Sequence, residues 1–162
     1  MEDASPIIMS SPRILIVEDD ASIRELYKEV LEGEGFEVES CVNGKEALLS
    51  LAGQEDPCLI LLDMMKPIMD GREFMAEFEK KPHTIIPIPV YLVSATSGSS
   101  EGEKMGCRGY LKKPFSIEAL LSVVRSHCET SANFNLTKPI KEMAAVPFLK
   151  KLQVGAPATA VI

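Results

Sequence analysis

The chain is 162 residues long with a formal net charge of −7, and 46% of its residues are hydrophobic and 25% charged. That balance excludes a disordered chain and fits one domain with a real core plus tails, while the acidic excess argues against broad binding to nucleic-acid phosphates, which needs a basic face. No apolar run approaches the roughly 20 residues of a membrane-spanning helix, and the acidic start Met1-Glu2-Asp3-Ala4 is unlike a secretory signal, so membrane insertion is not expected and the cytoplasm is the expected compartment.

Residues 1–12 read as a polar, proline-containing extension. Arg13-Ile14-Leu15-Ile16-Val17 is an apolar, largely β-branched run of the kind found in strands covered on both faces, and it stops at Glu18-Asp19-Asp20. Ile23, Leu26, Tyr27, Val30 and Leu31 then recur at helical spacing, with Asp20 as the cap and Gly33 and Gly35 at the end. Phe36-Glu37-Val38-Glu39-Ser40 predicts the second strand, and Asn43-Gly44-Lys45-Glu46 opens a helix that turns Ala47, Leu48 and Leu51 inward.

Cys58-Leu59-Ile60-Leu61-Leu62 predicts a third strand ending at Asp63, and Asp70 caps a helix with Phe74, Met75 and Phe78 on one side. Pro89-Val90-Tyr91-Leu92-Val93 is a fourth strand ending at Ser94. From Ala95 to Cys107 the chain is rich in glycine and serine, so any helix there is short or irregular. Gly109-Tyr110-Leu111-Lys112 gives the fifth strand, and Ser116 caps a last helix burying Ile117, Leu120, Leu121 and Val124. Five strand-helix units imply a parallel sheet with helices on both faces over residues 13–128. Residues 129–162 are too few for a usual DNA-binding output domain and read as a tail; Phe148, Leu149 and Leu152 are its candidates for docking.

The four cysteines, Cys41, Cys58, Cys107 and Cys128, contain no Cys-x-x-Cys pair and lie far apart, which predicts reduced, mostly packed thiols. His83 and His127 lack partners in the sequence and are expected at the surface.

In an open parallel sheet ligands bind beyond the carboxyl ends of the strands. Glu18, Asp19, Asp63, Ser94 and Lys113 all fall at such ends. Carboxylates crowded together repel unless a cation offsets them, and a hard divalent ion such as Mg²⁺ suits oxygen donors and bridges to phosphoryl oxygens. Asp63 beside such an ion can act as a nucleophile toward a phosphoryl donor, with Lys113 as the ammonium and Ser94 as a hydroxyl donor.

Together, Ile14-Leu15-Ile16-Val17-Glu18-Asp19-Asp20, Asp63-Met64-Met65-Lys66-Pro67-Ile68-Met69-Asp70-Gly71, Ser94-Ala95 and Lys113-Pro114-Phe115 resemble the signature of response-regulator receiver domains, in particular the stand-alone chemotaxis-regulator type. The resemblance implies a flavodoxin-like (βα)5 fold with strand order 2-1-3-4-5, Mg²⁺ as cofactor, and phosphotransfer from a histidine kinase or histidine phosphotransfer protein to a switch that contacts a downstream protein. It makes Asp63 the phosphoacceptor and Glu18 and Asp19 the metal-site acids. It makes Met65 the donor of a metal-binding carbonyl, Ser94 and Lys113 the phosphoryl contacts, and Tyr110 the aromatic switch residue. It also implies a cis Lys113-Pro114 bond.

Met65 and Thr96 flank the expected approach of water to Asp63 and are the candidates for tuning hydrolysis. The interval from Ser94 to Lys113 is shorter than the family pattern, and Lys66 stands where an apolar residue is more usual. Two other readings compete: an interaction module of the same fold that no longer switches, and an aspartyl-nucleophile phosphatase. The second would place a general acid two residues past the nucleophile, where this chain has Met65. Pairing of two copies stays open.

Overall fold

The computed structural model describes residues 11–64, 68–81, 87–96 and 98–128. Strands β1 (Arg13–Val17), β2 (Glu37–Cys41), β3 (Leu59–Asp63), β4 (Val90–Ser94) and β5 (Gly109–Lys112) alternate with helices α1 (Ala21–Gly33), α2 (Gly44–Gly53), α3 (Gly71–Glu79), α4 (Ser99–Lys104) and α5 (Ile117–Cys128). The strands form one parallel sheet in the order β2-β1-β3-β4-β5. The alternation of apolar runs predicted the parallel sheet, and the flavodoxin-like strand order is the one the family resemblance implied.

The sheet is buried on both sides because its central strands β1, β3 and β4 carry apolar residues on both faces, with polar residues only at their ends: Arg13, Asp63 and Ser94. Ile14, Ile16, Leu59 and Leu61 pack with Leu26, Tyr27, Val30 and Leu31 of α1 and with Leu120, Leu121 and Val124 of α5. Leu15, Val17, Ile60 and Leu62 point the other way, onto Ala47 and Leu48 of α2 and Phe74, Met75 and Phe78 of α3. The period of two along each strand therefore sorts one sequence run into two cores.

Helix starts follow the predicted caps. Asp20 accepts from Ile23 N–H, Asn43 from Glu46 N–H, and Asp70 forms a capping box with Glu73. Gly35, at φ 90°, makes the left-handed turn after α1. Helix α4 has six residues, no side-chain cap, and buries only Gly102, which lies against Leu92 and Cys107. Another tie is the ion pair of Glu101 with Arg72 of α3, and with so little apolar burial the predicted short helix is what forms. Strands β2, β3 and β4 each begin and end one residue later than the apolar runs suggest; Phe36, for instance, is spent on the turn, its N–H bonded to Leu31 O at 3.1 Å.

Two expectations fail. Cys58 and Cys128 are disulfide-bonded, with Cα atoms 5.4 Å apart, because α5 ends over the start of β3. Their 70-residue separation carries no local signal of this. His127 is half-buried, its ring edge-on to Tyr91 and its Nε2 3.2 Å from the Tyr91 hydroxyl. His83 and the segment containing Phe148, Leu149 and Leu152 lie outside the described residues.

Cys41 and Cys107 are free and buried, as expected. Burial, helped by the charges of Glu46 and Glu79 respectively, pushes each thiol up to about 11 from 9.0. Between those values an unfolded chain releases protons that the folded chain keeps. Stability from these thiols is therefore complete below pH ~9 and declines as pH rises toward ~11. At pH 8 iodoacetamide is expected to label both only after denaturation; native-state labelling at the denatured rate would contradict their burial.

Candidate functional site

The register of the sheet assembles the site. Val17 pairs with Leu62, so the next residues along, Glu18 and Asp63, come side by side; Asp63 pairs with Val93, and Ser94 with Lys112. Residues at or just past the strands' carboxyl ends thus meet at one edge of the sheet. The carboxyl oxygens of Glu18, Asp19 and Asp63 gather within 4.8 Å of one another. Lys113 Nζ donates to Glu18 Oε2 at 2.9 Å and to Asp63 Oδ2 at 3.4 Å.

Local sequence explains how each group is held. Glu18 is 2% exposed, and its Oε1 accepts the Asp20 N–H at 3.1 Å while Oε2 takes Lys113, so both oxygens are engaged. Asp63 is 8% exposed and Asp19 lies open to solvent. Ser94 is buried at the end of β4, its hydroxyl accepting from Thr96 N–H at 3.2 Å, and Thr96 itself is exposed.

The Ser94 carbonyl accepts twice, from Lys113 N–H at 2.9 Å and from the hydroxyl of half-buried Tyr110 at 3.1 Å. The Lys113-Pro114 bond is cis. Met65, Lys66 and Pro67 lie outside the described residues.

Gly71 shows why the loop after β3 can return so tightly. Its N–H bonds Met64 O at 3.1 Å, and a Cβ there would sit 3.0 Å from Met64 Sδ and 3.2 Å from Met64 Cα. At the same rim Ile68 is 78% exposed with φ 73°. A β-branched residue in the left-handed region costs about 1–3 kcal/mol.

The electrostatics follow from three carboxyls set against one ammonium. Burial dominates Glu18 and, despite the lowering by Lys113's hydrogen bond and with the charge of Asp63 adding to it, pushes its carboxyl up to about 7. Burial pulls Lys113 down, but Glu18's hydrogen bond and charge, reinforced by Asp63, outweigh it and leave the ammonium's pKa raised. The donor set consists of oxygens only, with negative charge exceeding the fixed positive charge, and it fits a hard divalent cation.

Sequence reasoning named these residues but not the tie that holds the first loop. The Arg24 guanidinium donates to the carbonyls of Glu18 at 2.9 Å and Asp19 at 3.2 Å. A cation in the first turn of α1, at the positive end of the helix dipole, was the available signal.

Residues 14–125 match the model of the response regulator receiver domain, and the chain belongs to that family. It is 38% identical over 119 residues to the protein named "Probable transcriptional regulator ycf29" of Pyropia yezoensis, covering 72% of this chain and 53% of that protein. The chain therefore spans about half the length of that relative. Among solved structures it resembles the receiver domain of the Francisella response regulator 1452, at 32% identity and a TM-score of 0.65 over 74% of this chain and 98% of that one. The receiver domain of sensor histidine kinase PA1611 from Pseudomonas aeruginosa, described with a magnesium ion coordinated in its active-site cleft, shares the fold at 24% identity and a TM-score of 0.66, over 74% of this chain and 99% of that one. Among the described residues no helix is long and apolar enough to cross a membrane.

Proposed function

We propose that the chain is a phosphoacceptor switch in which Asp63 takes a phosphoryl group from a histidine kinase or histidine phosphotransfer protein. The observation that carries this reading is the meeting of Glu18, Asp19, Asp63 and Lys113 at one point above the sheet. Residues 13–128 do this work in the cytoplasm, flanked by the 1–12 extension and the 129–162 tail.

A carboxylate oxygen of Asp63 attacks the phosphorus, the bond from phosphorus to the donor's imidazole nitrogen breaks, and the imidazole leaves with the electron pair. Asp19, Asp63 and the Met65 carbonyl would hold Mg²⁺, with Glu18 acting less directly, and the ion would supply charge neutralisation for the transferring oxygens. Lys113, already against Asp63, offers its ammonium to the same oxygens. Ser94 turns its hydroxyl toward the new group, and Tyr110, hydrogen-bonded to the Ser94 carbonyl, carries that movement toward a downstream protein. The chemistry stays on the protein's own aspartate. Direct contact with nucleic acid is left to whatever chain or partner the switch controls, in keeping with a net charge of −7.

Acetyl phosphate with Mg²⁺ is expected to add one phosphoryl group, read by intact mass and mapped to residue 63, and EDTA is expected to prevent it. Equal labelling with and without the cation would overturn the reading. Met65 and Thr96 set the lifetime of the product by controlling water; Met65→Asn is expected to change the decay of the label several-fold, and an unaltered decay would remove Met65 from that role.

The six-residue α4 supports a second reading, an interaction module of the same fold that no longer switches. Amide exchange that stays the same in β4, α4 and β5 when beryllofluoride is added would favour it.

A further inference from the structure

We infer that Arg24 is a positioning residue for the acidic site, fixing the backbone that presents Asp19 to a divalent cation. The inference rests on the proposed Mg²⁺ site. Arg24 lies on α1, where a cation near the helix N-terminus is disfavoured by the dipole. Its guanidinium nevertheless folds back to donate to both Glu18 O, at 2.9 Å, and Asp19 O, at 3.2 Å.

Those carbonyls belong to the two residues that bring acids from β1 to the site. The surrounding bonds finish the loop: Glu18 N–H to Cys41 O, Asp20 N–H to Glu18 Oε1, and Arg24 N–H to Asp20 O. Arg24's side chain is thus the piece that pins Asp19, the most exposed of the three acids. Asp19 has open solvent on its other side, so its oxygen is held in place chiefly through its own backbone. Arg24 does not reach the reacting atoms; it acts through Asp19.

The test is Mg²⁺ binding by isothermal titration calorimetry on the full chain, checked by the rise in thermal midpoint with added Mg²⁺. Arg24→Met keeps the stem and the helix propensity but removes the donors. It is expected to weaken Mg²⁺ binding about tenfold, the scale of losing an outer support of a metal ligand. Arg24→Lys, which keeps one charged donor group, is expected to recover part of the loss.

In an Asp19→Asn background Arg24→Met is expected to have no further effect, which a merely structural role would not produce. Wild-type protein that binds no Mg²⁺ would overturn the metal-site reading and this inference with it. Wild-type binding matched by Arg24→Met, or equal losses with and without Asp19, would overturn this inference alone. Should Arg24→Met fail to fold, Arg24→Lys decides: Mg²⁺ binding below wild type supports the inference, and wild-type binding overturns it.

Discussion

Asp63→Asn is expected to abolish transfer from acetyl phosphate while leaving the protein at least as stable as the wild type. An amide keeps the shape of the carboxyl but has no anionic oxygen to attack phosphorus, so labelling falls to background. The stability outcome follows from the neighbourhood. Asp63 is nearly buried beside Glu18, and burying two carboxylates together is costly. Removing one charge loses the 3.4 Å contact with Lys113 but also ends the repulsion on Glu18, which keeps the closer 2.9 Å contact. These opposing effects are each on the order of 1 kcal/mol at a partly solvated site. Intact mass and thermal midpoints measured side by side check both halves. Persistent labelling would reveal another acceptor, and a loss of several kcal/mol would mark Asp63 as a structural residue instead.

Reduction is expected to cost the fold more than any single surface change. The Cys58–Cys128 bond closes a loop of 70 residues in sequence separation. Chain-entropy reasoning puts its worth at about 4 kcal/mol, enough to lower the thermal midpoint of a domain this size by roughly 10 °C or more. Dithiothreitol should therefore shift the unfolding curve of the wild type, and Cys58→Ser should show the shifted curve with or without reductant. Identical midpoints for wild type in both conditions would mean the two sulfurs are not joined in solution.

The fold was legible because the central strands are written as unbroken apolar runs that end abruptly in acids or serine, and because Asp20, Asn43, Asp70 and Ser116 mark helix starts. The acidic site was legible for the same reason: parallel strands bring all their carboxyl ends to one edge. Position along a strand was less so. Phe36 reads as strand by composition, yet it packs against α1 as part of the turn, and pairing begins only with Glu37 opposite Arg13.

What stayed hidden depends on contacts between residues distant in sequence. Cys58 meets Cys128, and Tyr91 meets His127, only once α5 lies across the sheet. Arg24 looks like an ordinary helix-surface cation until its guanidinium is seen to reach back five and six residues to main-chain oxygens.

The doubly used carbonyl of Ser94 has a mechanical consequence. Its two donors come from β5 and from the residue just past it: one is the main-chain N–H that stitches that edge to β4, the other a phenol on a rotatable side chain. If the phenol lets go, the stitch remains. Swinging the ring would give up that one hydrogen bond, roughly 1 kcal/mol, together with the ring's packing beside the core, while the neighbouring strands stay zipped.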